Sequence, residues 1–239
     1  MALLMIDLDN TLVDRDAAFR GAAAAVLAEH GLPAGDLAWL TAVDASGYTP
    51  RREVARAMAQ RYGSSCPETA VRAFLDHGAA ERVTLAEDVR RALGEAVAAG
   101  WTCVVVTNGR AAQQETKIRR TGLDTLVHGW VVSETVGHEK PAPEIFRIAA
   151  DTVGMSLDGA WMIGDSPHAD VLGAAGVGAR SVWVSGGRPW TETAYGPTHV
   201  APDAAAAVRH VVGAPRRPAT AASPSAIPRS VTSPKPSTS

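Results

Sequence analysis

The sequence predicts an α/β protein in which a Rossmann-like parallel sheet carries an inserted all-helical segment. Beyond residue 86, short apolar runs alternate with amphipathic helical stretches, and this alternation is typical of parallel βαβ units. Between the first apolar run and residue 85, the apolar residues follow helical spacing. The predicted domains are an α/β core of residues 1–13 and 86–213, a helical cap of residues 14–85 and a disordered Pro/Ser-rich tail of residues 214–239.

Composition and charge narrow the class of protein. The 239 residues are 46% hydrophobic and 20% charged, and the net charge of −2 gives no support to a nucleic-acid partner. The N-terminal residues do not have the pattern of a signal peptide, and no apolar run approaches the roughly 18 residues of a membrane span. We expect a cytoplasmic monomer or homodimer without nucleic-acid or membrane partners, whose two cysteines, Cys66 and Cys103, are reduced and buried.

The first predicted element is a buried strand over residues 2–6, and two carboxylates, Asp7 and Asp9, follow it directly. The two-residue period of a strand aims both side chains the same way. They lie at the carboxyl end of the strand, where open α/β sheets bind their ligands. Two like charges this close repel each other unless a cation or a shared proton intervenes, and hard carboxylate oxygens suit Mg²⁺.

The insertion that follows is predicted to contain four helices, over residues 17–30, 36–43, 51–62 and 68–77. Gly31 and Pro33 end the first helix, Pro50 opens the third, and a polar break separates the third from the fourth. Apolar residues at helical spacing give each longer helix one face to bury. A helical bundle at this place in the chain is expected to form a separate lobe over the two carboxylates.

The core then alternates strands and helices. Its further strands are predicted over residues 102–106, a β-branched apolar run, and over residues 127–132, 160–163 and 180–184. Helices are predicted over residues 88–99, 111–120, 143–153, 169–175 and 202–211. The tail has no periodicity and carries only positive charge, so it cannot bury enough apolar surface to become ordered.

Polar groups recur in the loops of this core. The turn Thr107-Asn108-Gly109 offers a hydroxyl, an amide and a flexible backbone at the start of a helix, which suits a phosphate. Lys140 is a cation on a segment held by prolines, Asp165 follows the fourth strand, and Asp170 lies about one helical turn further on. Each of these features alone has an ordinary structural explanation, as a turn, a solvated lysine or a helix cap.

Taken together, the patterns occur in a known order. D-x-D-x-T at residue 7, T-N-G at residue 107, K-P at residue 140 and G-D-x-x-x-x-D at residue 164 resemble the four motifs of the haloacid dehalogenase (HAD) superfamily. The resemblance covers residues 1–211 and implies a HAD-like core. The helical insertion resembles the C1 cap of the type I members, such as phosphoglycolate phosphatases and β-phosphoglucomutases. Because most members are phosphatases, the resemblance implies phosphoryl chemistry.

The resemblance also implies roles for the first motif. Asp7 is implied as the nucleophile that forms an aspartyl-phosphate, and Asp9 as the general acid and then the general base. Mg²⁺ is implied as the cofactor, bound by the Asp7 carboxylate, the main-chain carbonyl of Asp9 and Asp165. Thr11 is implied to orient Asp9.

The remaining motifs are implied to bind the phosphoryl group. Thr107, together with the backbone of Asn108, is implied to hold the phosphoryl oxygens. Lys140 is implied to neutralise charge on both the nucleophile and the phosphoryl group. Asp170 is implied to support either Lys140 or a metal-bound water.

Substrate selection is expected to lie in the cap. Arg51 and its neighbour Arg52 can pair with an anionic group of the substrate, although a solvated helix start explains them equally well. The other polar residues considered near the cleft are Arg15, Asp16, Tyr48, His138 and His168.

Two features distinguish the subfamilies. Haloacid dehalogenases lack a carboxylate at the position of Asp9, because a halide leaves without a proton, so Asp9 favours phosphoryl transfer. The segment 14–82 contains no lysine, which argues against the Schiff-base chemistry of phosphonatases. The predicted function is a Mg²⁺-dependent phosphatase that hydrolyses a small phosphorylated metabolite. A phosphomutase of the β-phosphoglucomutase type and a non-enzymatic phospho-acceptor switch are the alternatives.

Overall fold

The computed structural model describes residues 2–215, and a six-stranded parallel sheet forms its centre. The strands are β1 (Ala2–Ile6), β2 (Trp101–Thr107), β3 (Gly129–Val132), β4 (Trp161–Gly164), β5 (Arg180–Val184) and β6 (His199–Ala201). They lie in the order β3-β2-β1-β4-β5-β6, and every neighbouring pair is parallel. The predicted α/β class and the Rossmann-like parallel sheet are confirmed.

Helices fill the insertion after β1 and cover the sheet. They are α1 (Arg15–Glu29), α2 (Asp36–Asp44), α3 (Arg51–Tyr62), α4 (Glu68–Ala73), α5 (Glu87–Ala98), α6 (Ala111–Arg120), α7 (Ser133–Val136), α8 (Pro143–Thr152), α9 (Gly173–Gly176) and α10 (Ala204–Gly213). One π-helical turn, Phe74–Gly78, continues α4, and a second, Pro167–Leu172, precedes α9.

The central strand is buried on both faces, as its continuous apolar run predicts. Leu4 and Ile6 pack on the side of α5 and α10, whereas Leu3 and Met5 pack on the side of α8. All four side chains are fully buried. This three-layer packing fixes β1 in the middle of the sheet, so the turn that follows it lies at the centre of the carboxyl edge.

The structure differs from the predicted elements at several boundaries. Helix α1 begins at Arg15 rather than residue 17, because the Asp14 carboxylate accepts a bond from the backbone N–H of Ala17 at 2.7 Å and caps the helix. The sequence predicts five strands, and β6 is the sixth. It has only three residues at the edge of the sheet, and its Val200 is 46% exposed, so no strand pattern marks it.

Helices α1 to α4 form the inserted segment, which is called the cap from here on. Its two connections to the core pair with each other through an antiparallel bridge between Val13 and Leu85. The apolar cluster on one face of the sheet continues into the cap through Leu12 and Phe19. The division into a separate core and cap domain stays a prediction.

Three further expectations concern the tail, the membrane and the cysteines. The predicted disordered tail lies outside the described residues from position 216 onward. Within residues 2–215, no helix combines the length and the apolar character that crossing a bilayer requires. Cys66 and Cys103 are buried free thiols, which confirms the expectation for both.

Candidate active site

The turn after β1 carries the first two carboxylates. The backbone N–H of Asp7 donates to the carbonyl of Ile163 at 2.8 Å, which ties the turn to β4. Asn10 has a φ of 57°, a left-handed conformation that asparagine tolerates better than most residues, and its Oδ1 accepts a bond from the backbone of Asp16 at 3.1 Å. Asp7 is buried and Asp9 is half-buried. The turn therefore presents both carboxylates at the carboxyl edge of the sheet.

Lys140 lies between two of the predicted site carboxylates. Its Nζ donates to Asp7 Oδ1, to Asp170 Oδ1 and to the carbonyl of Val106, each at 2.7 Å. These three bonds use all three hydrogens of the ammonium. Burial acts to lower the pKa of Lys140, but the charges of Asp170 and Asp7 outweigh it and raise the pKa above its ordinary value. Lys140 is therefore a fixed positive charge in the site.

Asp170 is held from two sides. Its Oδ1 accepts the bond from Lys140, and its Oδ2 accepts a bond from the backbone N–H of Ser166 at 3.0 Å. A Cβ built on Gly164 would lie 2.1 Å from Asp170 Oδ2, so the carboxylate can occupy this position only because residue 164 is glycine. Asp170 is implied to support either Lys140 or a metal-bound water, and the structure contains the contact with Lys140.

Three carboxylates gather beside Lys140. Asp7, Asp165 and Asp170 each offer one oxygen, and these oxygens lie within 4.8 Å of one another. Burial, only partly offset by Lys140, raises the pKa of Asp7 to about 8. Burial, reinforced by the charge of Asp170, raises the pKa of Asp165 to about 6. The cluster therefore holds more negative charge than Lys140 balances.

This donor set fits Mg²⁺, because the cation prefers hard carboxylate oxygens and relieves the repulsion among them. Lys140 takes Oδ1 of Asp7, and both oxygens of Asp170 already accept hydrogen bonds. The carboxylates best placed for a cation are therefore those of Asp7 and Asp165. The main-chain carbonyl of Asp9 stays a predicted ligand.

The turn after β2 adds a hydroxyl to the site. Thr107 is buried, and its Oγ1 accepts a bond from Gln114 Nε2 at 2.6 Å. The Asn108 side chain bonds both backbone groups of Lys140, at 2.9 Å and 2.8 Å, so only the backbone of Asn108 is left to face a phosphate. Gly109 has a φ of 137°, and a Cβ there would lie 3.3 Å from the Gln114 side chain.

Asp9 has two partners that the sequence analysis does not identify. Lys117 Nζ lies 2.7 Å from Asp9 Oδ1 and 2.6 Å from Oδ2, and Gln114 Nε2 lies 3.1 Å from Oδ2. Burial acts to raise the pKa of Asp9, but Lys117 and then Gln114 outweigh it and hold the pKa below its usual range. The sequence signal for these two partners is the composition of α6. Ile118 is the only large apolar residue of this helix, so polar side chains must fill the rest of the helix face that is buried.

The role implied for Thr11 is corrected by this arrangement. Thr11 Oγ1 is buried and forms no hydrogen bond within the described residues. The Asp9 carboxylate is instead oriented from α6, by Lys117 and Gln114. The support for Asp9 thus comes from a helix more than 100 residues further along the chain than Thr11.

The cap brings two guanidinium groups to one carboxylate. Arg15 is buried and donates to both oxygens of Asp44, with Nη2 at 2.7 Å from Oδ1. Arg51 Nη1 lies 3.5 Å from Asp44 Oδ1, and the Arg51 side chain is 28% exposed. Burial, followed by the charge of Arg15, lowers the pKa of Arg51. Arg15 is thus committed to the cap, and Arg51 is the better placed of the two for a substrate.

The cap touches the core next to the carboxylate cluster. Tyr48 Oη donates to Ser166 Oγ at 3.2 Å, although most of the Tyr48 side chain is exposed. A second contact joins Arg110 Nη1 to Asp76 Oδ1 at 2.6 Å. These contacts place the cap over the carboxyl edge of the sheet.

The other polar residues considered in the sequence lie outside the cluster. Arg52, His138 and His168 are exposed, and Asp16 accepts a bond from Ser46 Oγ at 2.7 Å within the cap. The structure therefore does not bring these four side chains together with the carboxylates.

One core cation in contact with the cluster has no sequence signal. Arg188 Nη2 lies 3.2 Å from Asp165 Oδ2 and 2.9 Å from the carbonyl of Asp165. Arg188 follows β5 in a loop and approaches the ring of Trp183 at 5.5 Å. It therefore fixes the orientation of Asp165 from the next strand of the sheet.

Comparison with known proteins identifies the family to which the sequence is similar. The family model for haloacid dehalogenase-like hydrolases matches residues 4–184. Phosphoserine phosphatase of Thermus thermophilus is 36% identical over 106 residues, which cover 44% of this chain and 43% of that protein. The chain thus matches less than half the length of this curated relative.

Solved structures match a larger share of the chain. The HAD-hydrolase YfnB of Bacillus subtilis, whose crystals contained magnesium, matches 89% of this chain and 99% of that one with a TM-score of 0.68 and 23% identity. A 2-haloacid dehalogenase from Pseudomonas syringae matches 89% and 98% of the two chains with a TM-score of 0.62 and 25% identity.

Proposed function

Because the chain belongs to the haloacid dehalogenase-like hydrolase family, we propose that it is a Mg²⁺-dependent phosphatase that acts on a small phosphorylated metabolite through an aspartyl-phosphate. One observation carries the proposal: the Gln114 amide binds both Thr107 Oγ1 and the carboxylate of Asp9, which lies two residues after Asp7. The similarity to a phosphoserine phosphatase supports the hydrolysis of a phosphoric monoester.

Asp7 is the proposed nucleophile. Lys140 binds its Oδ1 at 2.7 Å, which leaves Oδ2 to attack phosphorus. The same ammonium offsets the negative charge that phosphate and carboxylate bring together, and this repulsion is the main obstacle to the attack. Asp170 and the Asn108 side chain hold Lys140 in position for this task.

Asp9 is the proposed general acid and base. An alkoxide leaving group needs a proton as the P–O bond breaks, and Asp9 supplies it once the negative charge of the bound phosphate has favoured the protonated form of its carboxyl group. Asp9 then accepts a proton from the water that hydrolyses the aspartyl-phosphate. A dehalogenase needs no such acid, since a halide leaves without a proton, so the presence of Asp9 favours phosphoester hydrolysis.

Mg²⁺ would bind Asp7, Asp165 and the Asp9 carbonyl in this proposal, with Arg188 orienting Asp165. When bound, the cation supplies charge neutralisation that favours the ionised form of Asp7. Support comes from the donor chemistry of the cluster and from the magnesium in the crystals of YfnB.

The phosphoryl oxygens are proposed to contact the Thr107 hydroxyl and the backbone of Asn108. The rest of the substrate would face the cap, where Arg51 shares one carboxylate with Arg15. An anionic group on the substrate, distinct from the phosphate that is removed, is the partner that this excess of positive charge favours.

The test is turnover of p-nitrophenyl phosphate by the full chain with Mg²⁺ and with EDTA, alongside Asp7→Asn and the exposed control Asp88→Asn. We expect turnover in Mg²⁺ that EDTA and Asp7→Asn abolish and that Asp88→Asn leaves unchanged. Turnover without a divalent cation, or turnover that persists in Asp7→Asn, would reject the mechanism.

A phosphomutase and a phospho-acceptor switch, the two alternatives to a phosphatase, would each give a different result in an assay of this kind. A phosphomutase would isomerise a sugar phosphate without releasing phosphate. A phospho-acceptor switch would keep a phosphorylated Asp7 for minutes and would not turn over.

A further inference from the structure

The two aspartates of the first motif are each held by a lysine, and the proposed function uses only one of these lysines. Lys117 Nζ lies 2.7 Å from Asp9 Oδ1, 2.6 Å from Asp9 Oδ2 and 2.7 Å from Gln114 Oε1. Its side chain is 5% exposed. A buried ammonium with acceptors at these distances is fixed in place by charge-assisted hydrogen bonds.

Gln114 connects Asp9 to the turn that is proposed to bind phosphate. Its Nε2 lies 3.1 Å from Asp9 Oδ2, 2.6 Å from Thr107 Oγ1 and 3.1 Å from the carbonyl of Asn108. Gln114 is three residues before Lys117, so both side chains leave the same face of α6. One helix therefore sets the distance between the Asp9 carboxylate and the Thr107 hydroxyl.

The sequence uses lysine sparingly. Only three of its 23 lysine and arginine residues are lysines, and two of them, Lys117 and Lys140, are buried against aspartates of the site. An ammonium is compact and fits between a carboxylate and an amide, where a planar guanidinium needs more room. In a chain that otherwise uses arginine, lysine at position 117 fits a requirement for a compact cation.

We infer that Lys117, together with Gln114, is a positioning residue that fixes Asp9 for proton transfer to the leaving group, an inference that rests on the proposed phosphatase function. The two oxygens of Asp9 are not equivalent. Oδ2 accepts bonds from Lys117 and Gln114, whereas Oδ1 accepts a bond from Lys117 alone. Oδ2 is therefore the more strongly held oxygen. Lys117 can give up its bond to Oδ1 and keep those to Oδ2 and Gln114 Oε1, so Oδ1 is the oxygen that exchanges the proton.

The proton balance of both steps follows from this assignment. In the first step, the bond from Asp7 to phosphorus forms, the bond to the leaving oxygen breaks, and the proton on Asp9 Oδ1 moves to that oxygen. In the second step, the water oxygen attacks phosphorus, the phosphorus bond to Asp7 breaks, and Oδ1 takes a proton from the water. Lys117 stays at Oδ2 throughout and keeps the Asp9 side chain in one orientation.

The experiment compares aryl phosphates of similar shape, from p-nitrophenyl through phenyl to p-methoxyphenyl phosphate. The phenolates released become more basic along this series, so the later members depend more on a positioned acid. The variants are Lys117→Met, Lys117→Arg and Gln114→Met, with Asp9→Asn as the reference for loss of the acid. Arg119→Met is the matched control, because it removes an exposed cation from the same helix.

We expect Lys117→Met to lower kcat for p-methoxyphenyl phosphate about 100-fold and kcat for p-nitrophenyl phosphate less than about tenfold, as in Asp9→Asn. Lys117→Arg and Gln114→Met should lie between Lys117→Met and the wild type, and Arg119→Met should match the wild type. The ratio of the two rates does not depend on the fraction of folded enzyme, so a partly unfolded variant still gives an answer.

The inference is overturned if Lys117→Met slows all three substrates by the same factor, which indicates a purely structural role, or slows none of them. If the wild type turns over no member of the series in Mg²⁺, the proposed phosphatase function itself fails. The two failures are therefore distinguished by the wild-type rates.

Discussion

Gly164 lies directly against the carboxylate of Asp170, so that a Cβ built on the glycine meets Oδ2 at 2.1 Å. Strand β4 and the helical turn that carries Asp170 can approach this closely only without a side chain between them. Asp170 in turn binds Lys140. The lack of a side chain at Gly164 therefore determines where the ammonium of Lys140 lies.

Gly164→Ala should displace Asp170 and weaken its bonds to Lys140 and to the backbone of Ser166. We expect the free energy of unfolding to fall by about 1–3 kcal/mol, as for other overpacked sites, and turnover to fall with it. Gly94→Ala is the control, because nothing lies within 4 Å of its Cβ and it is exposed in α5. Denaturant unfolding of the control should show a gain of about 0.5–1 kcal/mol. Wild-type stability and turnover in Gly164→Ala would contradict the packing described here.

Asp165→Asn should change stability in opposite directions with and without Mg²⁺. In EDTA above pH 6, the ionised Asp165 is unfavourable, because burial and Asp170 raise its pKa to about 6. The variant should therefore melt at a higher temperature than the wild type at pH 8. This difference should narrow as the pH falls below 6, where the folded protein takes up the proton, and vanish below about pH 3.8, where the unfolded chain is protonated too. In Mg²⁺ at 100 times Kd, the wild type should gain about 2.7 kcal/mol, and the variant should lose this gain.

Calorimetric melts at pH 5 and pH 8, each with Mg²⁺ and with EDTA, test this prediction. The control is Asp88→Asn, which lies at the surface and pairs with Arg209. An equal response of Asp165→Asn and wild type to Mg²⁺ would exclude Asp165 as a ligand.

Asp44→Asn should destabilise the cap. Arg15 and Asp44 have side chains only 3% and 1% exposed, so removing the carboxylate leaves a buried guanidinium without its bidentate partner. Breaking such a buried pair costs about 3–5 kcal/mol. Glu68→Gln is the contrast, because its pair with Arg72 is exposed and should cost less than about 1 kcal/mol. Equal losses of unfolding free energy in the two variants would show that the buried Arg15–Asp44 pair contributes no more stability than the exposed Glu68–Arg72 pair.

Arg51→Met should weaken the binding of substrates that carry a second anionic group. The comparison uses phenyl phosphate and 4-carboxyphenyl phosphate, which differ by one carboxylate. Loss of a charge-assisted hydrogen bond of about 1.5–3 kcal/mol should raise KM for the carboxylated substrate roughly 10-fold to 100-fold and leave KM for phenyl phosphate nearly unchanged. Arg52→Met, an exposed neighbour on the same helix, is the control. If Arg51→Met changes KM by the same factor for both substrates, Arg51 does not recognise the second anionic group.

Both cysteines should resist thiol reagents in the folded protein. Burial raises the pKa of the Cys103 thiol to about 12 and also raises the pKa of Cys66, so little thiolate forms at pH 8. Reaction with a chromogenic disulfide reagent should be slow in buffer and complete in concentrated guanidinium chloride. A rapid stoichiometric reaction of one thiol under native conditions would contradict the buried positions.

The sheet and the placement of Asp7, Thr107 and Asp165 follow from the sequence because Thr107 ends a strand and the two aspartates each directly follow one. In a parallel sheet all carboxyl ends meet at one edge, so knowing the strands is enough to bring these side chains together. Lys140 is predicted through the order of the motifs, since its place in a loop carries no periodicity.

Lys117 and the Arg15–Asp44 pair could not be predicted in the same way. Lys117 reaches Asp9 across 108 residues, and Arg15 reaches Asp44 across 29, so neither contact leaves a local pattern. Polar residues inside helices are usually solvated, and only the packing of the finished structure shows which of them are buried. The edge strand β6 has no sequence signal for a related reason, because its three residues are too few to show the alternation of a strand.

The bridge between Val13 and Leu85 brings the start and the end of the cap to a single point beside β1. An insertion anchored in this way can grow, shrink or be exchanged while the strands on either side of it keep their register. A change in the cap can therefore alter what reaches the carboxyl edge of the sheet and leave the side chains gathered at that edge in place.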